Sequence, residues 1–519
     1  AVCSSRFILQ TRFKSGIISK KVFGACYMKF LYRIAAVLLC AALVFTAAAC
    51  DSSGDRRIYF ELSEIPSTLD PQTASTVSEL MIVRNLFEGL VRCSPSGEII
   101  PGVAERYEQN GLEYTFYLRK NACWYTGDKL TADDFVFGLR RAVSPDTRSP
   151  FASRLSAVSG AEAILSGKAP ADSLGVTAVD DHTLRITLIR EDADFLKTLS
   201  GALCMPCNEK FFNECVGKYG LEKKYVMANG SYYLAKWNQT DFGIRIYKNA
   251  VYHGNFTAKN GGVFFSKNEK SSPKSILTSE TADAAFVKGD DVPALEKSGF
   301  NVASVENICW ILTISRDYSS EMCSALAQLI NREKLTSSRQ NSFRAADSLF
   351  PEVLNINNAS GAGILQYNPD AGKEQFSSAV KKTADKKFPR TVLYYADDTA
   401  AAGIITDMIG HWQQTLSAFI NMEAAKNPAA LSGQIKERTL QMAVFPITAQ
   451  SDSVKEYMSV FSENTSVSPA DMQRQLLSDS HIIPLFFEKT CIAASPALTG
   501  ISIDNLGGYV DFSVIEKAK

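Results

Sequence analysis

The chain has 519 residues, 46% of them hydrophobic, so it can bury a sizeable core and is too long for one ordinary domain. Its 55 basic and 55 acidic residues balance over the whole sequence. The first 49 residues contain seven basic and no acidic residues, so the remainder carries a net charge of about −7. A mildly acidic body argues against nucleic acid as the main partner.

The N-terminal region has the three parts of a signal peptide. Lys29 and Arg33 form a short basic region after Met28, residues 34–45 are almost purely apolar, and residues 46–49 are small. The apolar run is shorter than the ~20 residues that span a bilayer, which favours a signal peptide over a permanent transmembrane helix. Met28 is therefore the predicted start, and residues 1–27 are either upstream sequence or a real extension.

The signal peptide ends at Cys50, and a short polar segment follows. The small residues before Cys50 resemble the lipobox of bacterial lipoproteins, although Ala47 stands where the family usually has Leu. The resemblance implies that Cys50 is diacylated and becomes the new N terminus, with residues 50–57 as a flexible tether. The protein is then expected outside the cytoplasm, anchored to the outer face of the cell membrane or in the periplasm. The alternative is a chance cysteine beside an ordinary cleavage site.

Eight further cysteines follow Cys50, and their spacing alone does not define a disulfide pattern. They are Cys93, Cys123, Cys204, Cys207, Cys215, Cys309, Cys323 and Cys491. The Cys204-Met-Pro-Cys207 segment resembles half of a metal or redox motif, but a zinc site requires a second pair. This spacing favours either a local disulfide or two buried thiols.

Predicted strands and helices alternate beyond the tether. Residues 114–119 and 183–189 alternate apolar and polar side chains, as half-buried strands do. Between them, residues 131–143 are predicted to form a helix with Thr131 as N-cap. Residues 324–335 are predicted as another helix, and an apolar stripe from Ile405 to Phe419 predicts a longer one. The mixture indicates an α/β or α+β protein with several domains.

The sequence lacks the common catalytic and nucleotide-binding motifs. It contains no P-loop, no glycine-rich dinucleotide fingerprint and no G-x-S-x-G elbow, and its four histidines fall in no spaced metal motif. His182 is interpreted as a turn residue between strands and His411 as a structural residue on its helix. The sequence therefore indicates a binding protein and not an enzyme, with no cofactor and no metal.

Eight segments resemble the extracytoplasmic solute-binding proteins of peptide-type ABC importers, the oligopeptide- and dipeptide-binding family. They follow one another in the family's order and together extend over essentially all of residues 56–519. In chain order they read SEIPSTLDPQTA (63–74), NLFEGLVRCSPSGEIIPGVAERYE (85–108), YTFYLRKNACWYTGDKLTADDFVFGLRRAVSPDTRSPFAS (114–153), LGVTAVDDHTLRITL (174–188), NGSYYLAKWNQTDFGIRIYKN (229–249), ALAQLINREKL (325–335), IIPLFF (482–487) and LTGISIDNLGGYVDF (498–512).

The resemblance implies an α/β protein with two lobes, a hinge and a ligand cleft between the lobes, in the large three-domain variant of the type II periplasmic binding proteins. Domain I is expected to be discontinuous, comprising residues 58–87, 206–275 and 482–519. Domain II is expected over residues 88–205, and domain III, the second lobe, over residues 276–481.

The resemblance also implies ligand contacts from the first lobe. In peptide binders, the segment after the Leu-Asp-Pro turn contributes strand-like contacts, which here corresponds to Ser75, Thr76 and Val77. The aromatic residue of the SPFAS segment is usually Tyr in the family. In this chain it is Phe151, which keeps the ring and loses the hydroxyl.

In the second lobe, the family carries a Trp-x-Ala-Asp-Tyr motif whose Asp pairs with the peptide's α-ammonium. Without gaps, the motif aligns with Ile447, Thr448, Ala449 and Gln450, followed by Ser451. Gln450 thus replaces the charged Asp, and charge-assisted contacts are about twice as strong as neutral ones. Standard recognition of a free peptide amine is therefore in question for this chain, and the alternative is that Asp452, two residues further on, replaces the missing Asp.

The family implies a monomeric substrate-binding lipoprotein that captures peptides or related small solutes and delivers them to an ABC permease with its ATPase subunits. Two alternatives stay open: an extracytoplasmic ligand sensor built on the same scaffold, and a binder of a non-peptide solute. An extracytoplasmic hydrolase is the weakest interpretation, because no catalytic motif supports it.

Overall fold

The computed structural model describes residues 56–94, 98–237, 243–356, 366–396, 398–425, 439–449, 454–461, 468–503 and 509–518. Cys50 and Gln450 therefore lie outside the described residues. Residues Arg56–Lys519 form one compact unit.

The described residues form nineteen strands, numbered here in chain order. They are β1 (Arg57–Glu61), β2 (Val91–Cys93), β3 (Ile99–Pro101), β4 (Ala104–Asn110), β5 (Glu113–Leu118), β6 (Val176–Asp180), β7 (Thr183–Thr187), β8 (Tyr232–Lys236), β9 (Gly243–Lys248), β10 (Gly262–Ser266), β11 (Ala284–Val287), β12 (Asn301–Ile314), β13 (Phe343–Ala345), β14 (Thr391–Ala396), β15 (Ile420–Ala425), β16 (Met442–Thr448), β17 (Ile482–Ala494), β18 (Leu498–Thr499) and β19 (Glu516–Lys517).

The same residues form thirteen α-helices. They are α1 (Val77–Leu86), α2 (Ala132–Val143), α3 (Ala161–Leu165), α4 (Phe195–Leu199), α5 (Glu209–Glu214), α6 (Pro273–Thr278), α7 (Val292–Lys297), α8 (Ser320–Gln328), α9 (Arg332–Thr336), α10 (Pro369–Lys381), α11 (Thr399–Leu416), α12 (Val454–Ser459) and α13 (Pro469–Ser478). Within the described ranges, no helix combines the length and the apolar character that crossing a membrane requires.

Eleven strands form one mixed sheet in the order β15-β14-β16-β12-β17-β11-β1-β10-β9-β8, with β13 paired to β17 beside this path. β1 runs parallel to both of its neighbours, and β14 does the same at the other end of the sheet. The central strands β16, β12, β17 and β11 are antiparallel. A second sheet of four antiparallel strands has the order β4-β5-β7-β6.

Two large hydrophobic cores lie along the main sheet. The first core is built from buried side chains between Ile58 and Phe265, joined by Ala284 and by C-terminal residues up to Ile515. The second core is built from residues between Cys309 and Phe487. β12 and β17 contribute side chains to both cores. The first core runs through both predicted domains I and II, so the boundary between these two stays a prediction.

A smaller cluster covers part of the opposite face of the main sheet. Leu277 of α6 and Leu295 of α7 pack there against alternate residues of β11 and β17, such as Ala285 and Cys491. Their chain neighbours Ala284 and Ile492 point into the first core instead. Helices α6 and α7 thus cover the sheet at β11 and β17.

Several local predictions are confirmed. β5 and β7 lie where the alternating pattern predicted strands, and His182 lies in the turn before β7. α2 begins after Thr131, whose backbone N–H donates to Asp134 Oδ2 at 2.9 Å. Asp134 also accepts from the indole N–H of Trp124 at 3.3 Å. The residues at the start of α2 therefore both cap the helix and anchor it to the first core.

Two helix predictions are corrected. The single helix predicted over residues 324–335 is two helices, because Asn331 caps α9 by accepting from the backbone N–H of Lys334 at 2.9 Å. α11 ends at Leu416 with Ser417 in the left-handed conformation, so Phe419 lies beyond the helix and is 76% exposed. In both segments, the apolar pattern continues past the point where the backbone leaves the helix.

The alternatives for Cys204 and Cys207 reduce to buried thiols. All eight cysteines in the described ranges are free, and burial raises the pKa of these two thiols to about 12 each. Neither is a thiolate at neutral pH, so neither has the character of a reactive cysteine.

A buried ion pair ties the loop after β1 to α2. Arg141 donates to both carboxylate oxygens of Asp70, at 3.2 and 2.7 Å, and to Gln72 Oε1 at 2.6 Å. Asp70 is 5% exposed and Arg141 9% exposed. The guanidinium also lies over the ring of Phe212, at 4.1 Å from its centroid. Because both charges are out of water, each depends on the other for compensation.

Replacing Arg141 with Met should therefore lower the free energy of unfolding by about 3–5 kcal/mol, since Asp70 is left as an uncompensated buried charge. The matched control is Arg185→Met, because Arg185 pairs with Glu113 at 3.3 Å with both side chains more than two-fifths exposed. That variant should lose no more than about 1 kcal/mol. Urea unfolding of residues 56–519 measures the free energy of unfolding of both variants. Equal losses in the two variants would show that the buried Asp70–Arg141 pair is no more important for stability than the exposed pair.

Candidate functional site

The two cores meet where β12 and β17 pass from one to the other. Glu306 pairs with Lys489 and Ile308 pairs with Glu488, so Asn307 is an extra residue in β12. This irregularity is a β-bulge, a feature that bends a strand and increases its twist. The segment around it, residues 306–310 of β12 and 486–490 of β17, is called the crossing below.

Asn307 is fully buried at the crossing. Its side-chain oxygen accepts from Thr490 Oγ1 at 2.8 Å, and its backbone oxygen accepts from the N–H of Ala449 at 2.7 Å. Its side-chain Nδ2 has no hydrogen-bond partner among the described residues. A buried donor left unpaired costs about 1–3 kcal/mol, so a hydrogen-bond acceptor placed beside this amide would stabilise the crossing.

A charged cluster lies next to Asn307. Glu488, 9% exposed, accepts from the indole N–H of Trp310 at 2.8 Å. The ammonium of Lys288 lies 3.6 Å from the other Glu488 oxygen and 2.6 Å from Asp398 Oδ2. The cluster therefore holds two carboxylates and one ammonium, with a buried indole fixing one carboxylate in place.

The pKa values of these groups reflect their burial and their neighbours. Burial raises the pKa of Glu488, against the opposing effects of Lys288 and Trp310. Burial alone would lower the pKa of Lys288, but Glu488 and Asp398 raise it above its usual value. Burial acts to raise the pKa of Asp398, whereas Lys288 and the backbone N–H groups of α11 lower it overall. Lys288 therefore stays charged at neutral pH.

The Lys288–Asp398 bridge joins two different parts of the molecule. Lys288 follows β11, whose Ala284 belongs to the first core. Asp398 is the N-cap of α11 and accepts from the backbone N–H groups of Ala400 and Ala401, both at 2.9 Å. Ile405 of α11 lies in the second core. The bridge is thus a polar contact between the end of β11, which packs on the first core, and the start of α11, which packs on the second core.

The predicted residues of the first lobe lie at the start of α1. Thr76 caps this helix in a reciprocal capping box with Glu79, and Glu79 also accepts from the backbone N–H of Ser75 at 2.9 Å. Burial would raise the pKa of Glu79, but hydrogen bonds from Ser67, Ser75 and Thr76 lower it overall. Val77 packs against the first core. Glu79 therefore holds this loop in a defined conformation.

Phe151 lies in a turn that precedes a short 3₁₀ helix. Its half-buried ring packs against the first core, and the guanidinium of Arg154 lies 4.1 Å from the ring centroid.

The predicted residues of the second lobe lie at the end of β16. Ile447 and Ala449 are buried in the second core at 5% and 1% exposure, and Thr448 between them is partly exposed. Thr448 pairs with Ile308 of β12, which places this segment beside Asn307. Contacts from Ile447 and Ala449 to a ligand would therefore come from main-chain groups. Gln450 is outside the described residues.

The structure thus brings Ile447, Thr448 and Ala449 to the crossing, whereas Ser75, Thr76, Val77 and Phe151 pack on the first core. The polar groups of the crossing were missed by the sequence analysis. Glu488 had a usable signal, because it directly follows the apolar run IIPLFF and a charge in a buried part of a strand requires a partner. Lys288 carried no such signal, since it is 200 residues from Glu488 in sequence.

Among the residues that the structure describes, no group of three or more His, Cys, Asp or Glu side chains is arranged to hold a metal ion.

The sequence and the fold of this chain are both similar to those of known peptide-binding proteins. The periplasmic murein peptide-binding protein MppA of Escherichia coli K12 is 40% identical over 176 residues, which is 33% of this chain and 32% of that protein. The structure of E. coli MppA, described as a murein tripeptide binding protein, superposes with a TM-score of 0.77 at 21% identity, covering 90% of this chain and 99% of that one. Listeria monocytogenes OppA bound to peptide gives a TM-score of 0.77 at 19% identity, covering 90% and 100%.

These similarities confirm the predicted two-lobed α/β fold of the type II periplasmic peptide-binding proteins. The sequence alignment with MppA spans about a third of that relative's length. The model for bacterial extracellular solute-binding proteins, family 5 middle, matches residues 98–469, which is more than half of the chain. This family consists of solute-binding proteins, which confirms the interpretation of the chain as a binding protein and not an enzyme. The chain therefore belongs to family 5 of the bacterial extracellular solute-binding proteins.

Proposed function

We propose that this chain is the substrate-binding lipoprotein of an ABC importer, which captures peptides or related small solutes between its two lobes. The observation that carries the proposal is the pair of separate cores on one continuous pair of strands, in a chain of a solute-binding family. Closure of two lobes excludes water from the ligand and strengthens polar contacts to it. The names of MppA and of peptide-bound OppA support peptides as the ligand class.

The hinge of this motion is the crossing. β12 and β17 stay paired on both sides of Asn307, so the ladder bends at this bulge while the pairing continues. A second register shift follows between Trp310 and Ile311, at the end of the crossing. The Lys288–Asp398 bridge, which links the two sides at 2.6 Å, stabilises the closed arrangement.

The ligand lies between the start of α1 and the end of β16. Ser75, Thr76, Val77 and Phe151 contribute from the first lobe, and Ile447, Thr448, Ala449 and Gln450 contribute from the second. The unpaired amide of Asn307 supports this placement, because it lies beside Ala449 and offers a donor to a peptide carbonyl. Gln450 offers no charge to a peptide amine, so recognition of the ligand backbone relies on neutral contacts.

The protein acts at the outer face of the membrane as a monomer. A lipid on Cys50 keeps it near its permease and ATPase subunits and raises its effective concentration there.

A ligand screen tests the peptide assignment. Pools of short peptides should raise the melting temperature of residues 56–519, because ligand at 100 times its Kd stabilises the folded state by about 2.7 kcal/mol. N-acetylated pools should give nearly the same shift, since Gln450 carries no charge. A response to sugars or metal chelates together with no response to peptides would reject the assignment.

Substitution of Lys288 tests the closure bridge. Lys288→Met should weaken peptide binding about two- to fivefold, since a partly exposed ion pair contributes up to about 1 kcal/mol. The control is Lys382→Met, because Lys382 pairs with Glu321 at the same distance of 2.6 Å and with similar exposure. Calorimetric titration should show unchanged affinity in the control. If both variants bind as tightly as the parent, the bridge has no part in closure.

Substitution of Cys50 tests the anchor. Cys50→Ser in the full chain should release or mislocalise the protein, because the acceptor of the lipid is lost, without altering peptide affinity. Membrane fractionation measures the first effect and titration the second. Membrane-bound Cys50→Ser protein would show that the anchor is elsewhere.

A further inference from the structure

The main sheet presents aromatic side chains on the face opposite the first core. Along β1, Ile58 and Phe60 are buried in the first core, so Tyr59 between them points the other way. The same alternation places Phe264 of β10, Tyr247 of β9 and Tyr233 of β8 on that side. Tyr125 stacks on Tyr233. The five residues Tyr59, Phe264, Tyr247, Tyr233 and Tyr125 are called the aromatic face. Helices α6 and α7 cover the sheet at β11 and β17, beside this face.

The rings of the aromatic face form an unbroken series across four strands. Successive ring centroids are 5.0 Å apart for Tyr59 and Phe264, 6.0 Å for Phe264 and Tyr247, 6.2 Å for Tyr247 and Tyr233, and 5.8 Å for Tyr233 and Tyr125. Tyr59 and Tyr125 at its two ends are 36% and 37% exposed, and the three rings between them are partly buried. Single exposed aromatics need no explanation, whereas a connected apolar patch marks an interaction surface.

Basic side chains lie over the same rings. The guanidinium groups of Arg57 and Arg245 lie 4.9 and 4.7 Å from the centroid of Phe264. The ammonium of Lys517 lies 5.4 Å from the ring of Tyr59 and is paired with Asp283 at 2.7 Å. The surface therefore combines amphipathic rings with positive charge, on a body whose net charge is negative. That combination is the chemistry that a negatively charged lipid surface attracts.

The chain enters the fold at this face. β1 begins at Arg57 and carries Tyr59, and Arg56 is six positions after Cys50 in the sequence. A chain of that length reaches at most about 20 Å when fully extended. A lipid on Cys50 therefore keeps Arg56 within about 20 Å of the bilayer surface.

We propose that the aromatic face lies against the anionic headgroups of the membrane that holds the lipid anchor. This inference rests on the lipid attachment of the proposed function. Tyrosine rings prefer the membrane interface, where one end of the ring is in an apolar environment and the hydroxyl is hydrated. Arg57 and Arg245 add electrostatic attraction to anionic lipids. The contact fixes the orientation of the first lobe, and with it the side of the protein that is presented to the permease.

Tryptophan quenching in the lipidated full-length protein tests the contact. Tyr59→Trp protein in vesicles containing brominated lipid should lose much of the fluorescence of the new indole. The four native tryptophans give a constant background, because they are 4% exposed or less. The control is Tyr107→Trp on β4 of the second sheet, where Tyr107 is 38% exposed against 36% for Tyr59. The control should not be quenched, and equal quenching of both would overturn the proposal.

Vesicle binding by residues 56–519 tests the charge contribution without the anchor. Co-sedimentation with phosphatidylcholine vesicles should be increased by phosphatidylglycerol and reduced by salt. Arg245→Glu should weaken binding to the anionic vesicles at least about fivefold. Arg185→Glu, the same change at an exposed residue of β7 in the second sheet, should bind as the parent does. Equal binding of the two variants, or no binding by the parent, would overturn the proposal.

Two further measurements distinguish a membrane contact from self-association of the chain and from failure of the proposed function. Self-association that Tyr59→Ser abolishes, without vesicle binding, would show that the face joins two copies of the chain and would overturn the membrane contact. Peptide affinity measured on the same samples should be unchanged by Arg245→Glu. Absence of vesicle binding in the parent, with its peptide binding intact, contradicts only the membrane contact. Absence of peptide binding in the parent contradicts the proposed function.

Discussion

The antiparallel pairing of β12 with β17 is the constraint on which the rest of the structure depends. One half of this ladder packs on the first core and the other half on the second, so the same two strands hold both lobes. β11 extends the sheet on one side of the crossing and β16 on the other. Any change in the angle between the lobes must therefore be accommodated within this ladder. The register of the ladder already changes at two places, at Asn307 and between Trp310 and Ile311.

The same interruption explains why polar groups gather at the crossing. A regular buried strand satisfies its backbone with its neighbours and packs apolar side chains on both faces. At the bulge this pattern fails. Asn307 accepts from Thr490 and Glu488 accepts from Trp310 instead, while Asn307 Nδ2 has no partner among the described residues. Charges and amides in such a place act in a low dielectric, where a ligand's polar groups are bound more strongly than in water. In the proposed function, the hinge and the polar groups that bind the ligand therefore lie at the same place, the crossing.

Local features could be predicted from the residues, whereas long-range ones could not. The N-cap Thr131 and the apolar stripe of α2 lie within a few residues of each other, so the sequence pattern was sufficient. The break at Asn331 was missed because Leu329 and Ile330 continue the apolar pattern across a residue whose side chain caps the next helix. The resemblance predicted the two lobes, and its assignment of the residues at the end of β16 to the ligand stays a prediction. It did not predict Lys288 as the partner of Glu488, because that contact depends on the strand order of the sheet.

The central claim is that the two lobes close on a peptide by bending at the crossing. The most direct measurement is the distance between spin labels at Val216→Cys and Phe419→Cys, by double electron–electron resonance, with the partly exposed Cys93 and Cys123 replaced by serine. Val216 and Phe419 are 82% and 76% exposed, so labels there disturb no packing. Saturating peptide should shift the distance distribution and narrow it. A distribution that is identical with and without bound peptide would contradict the account.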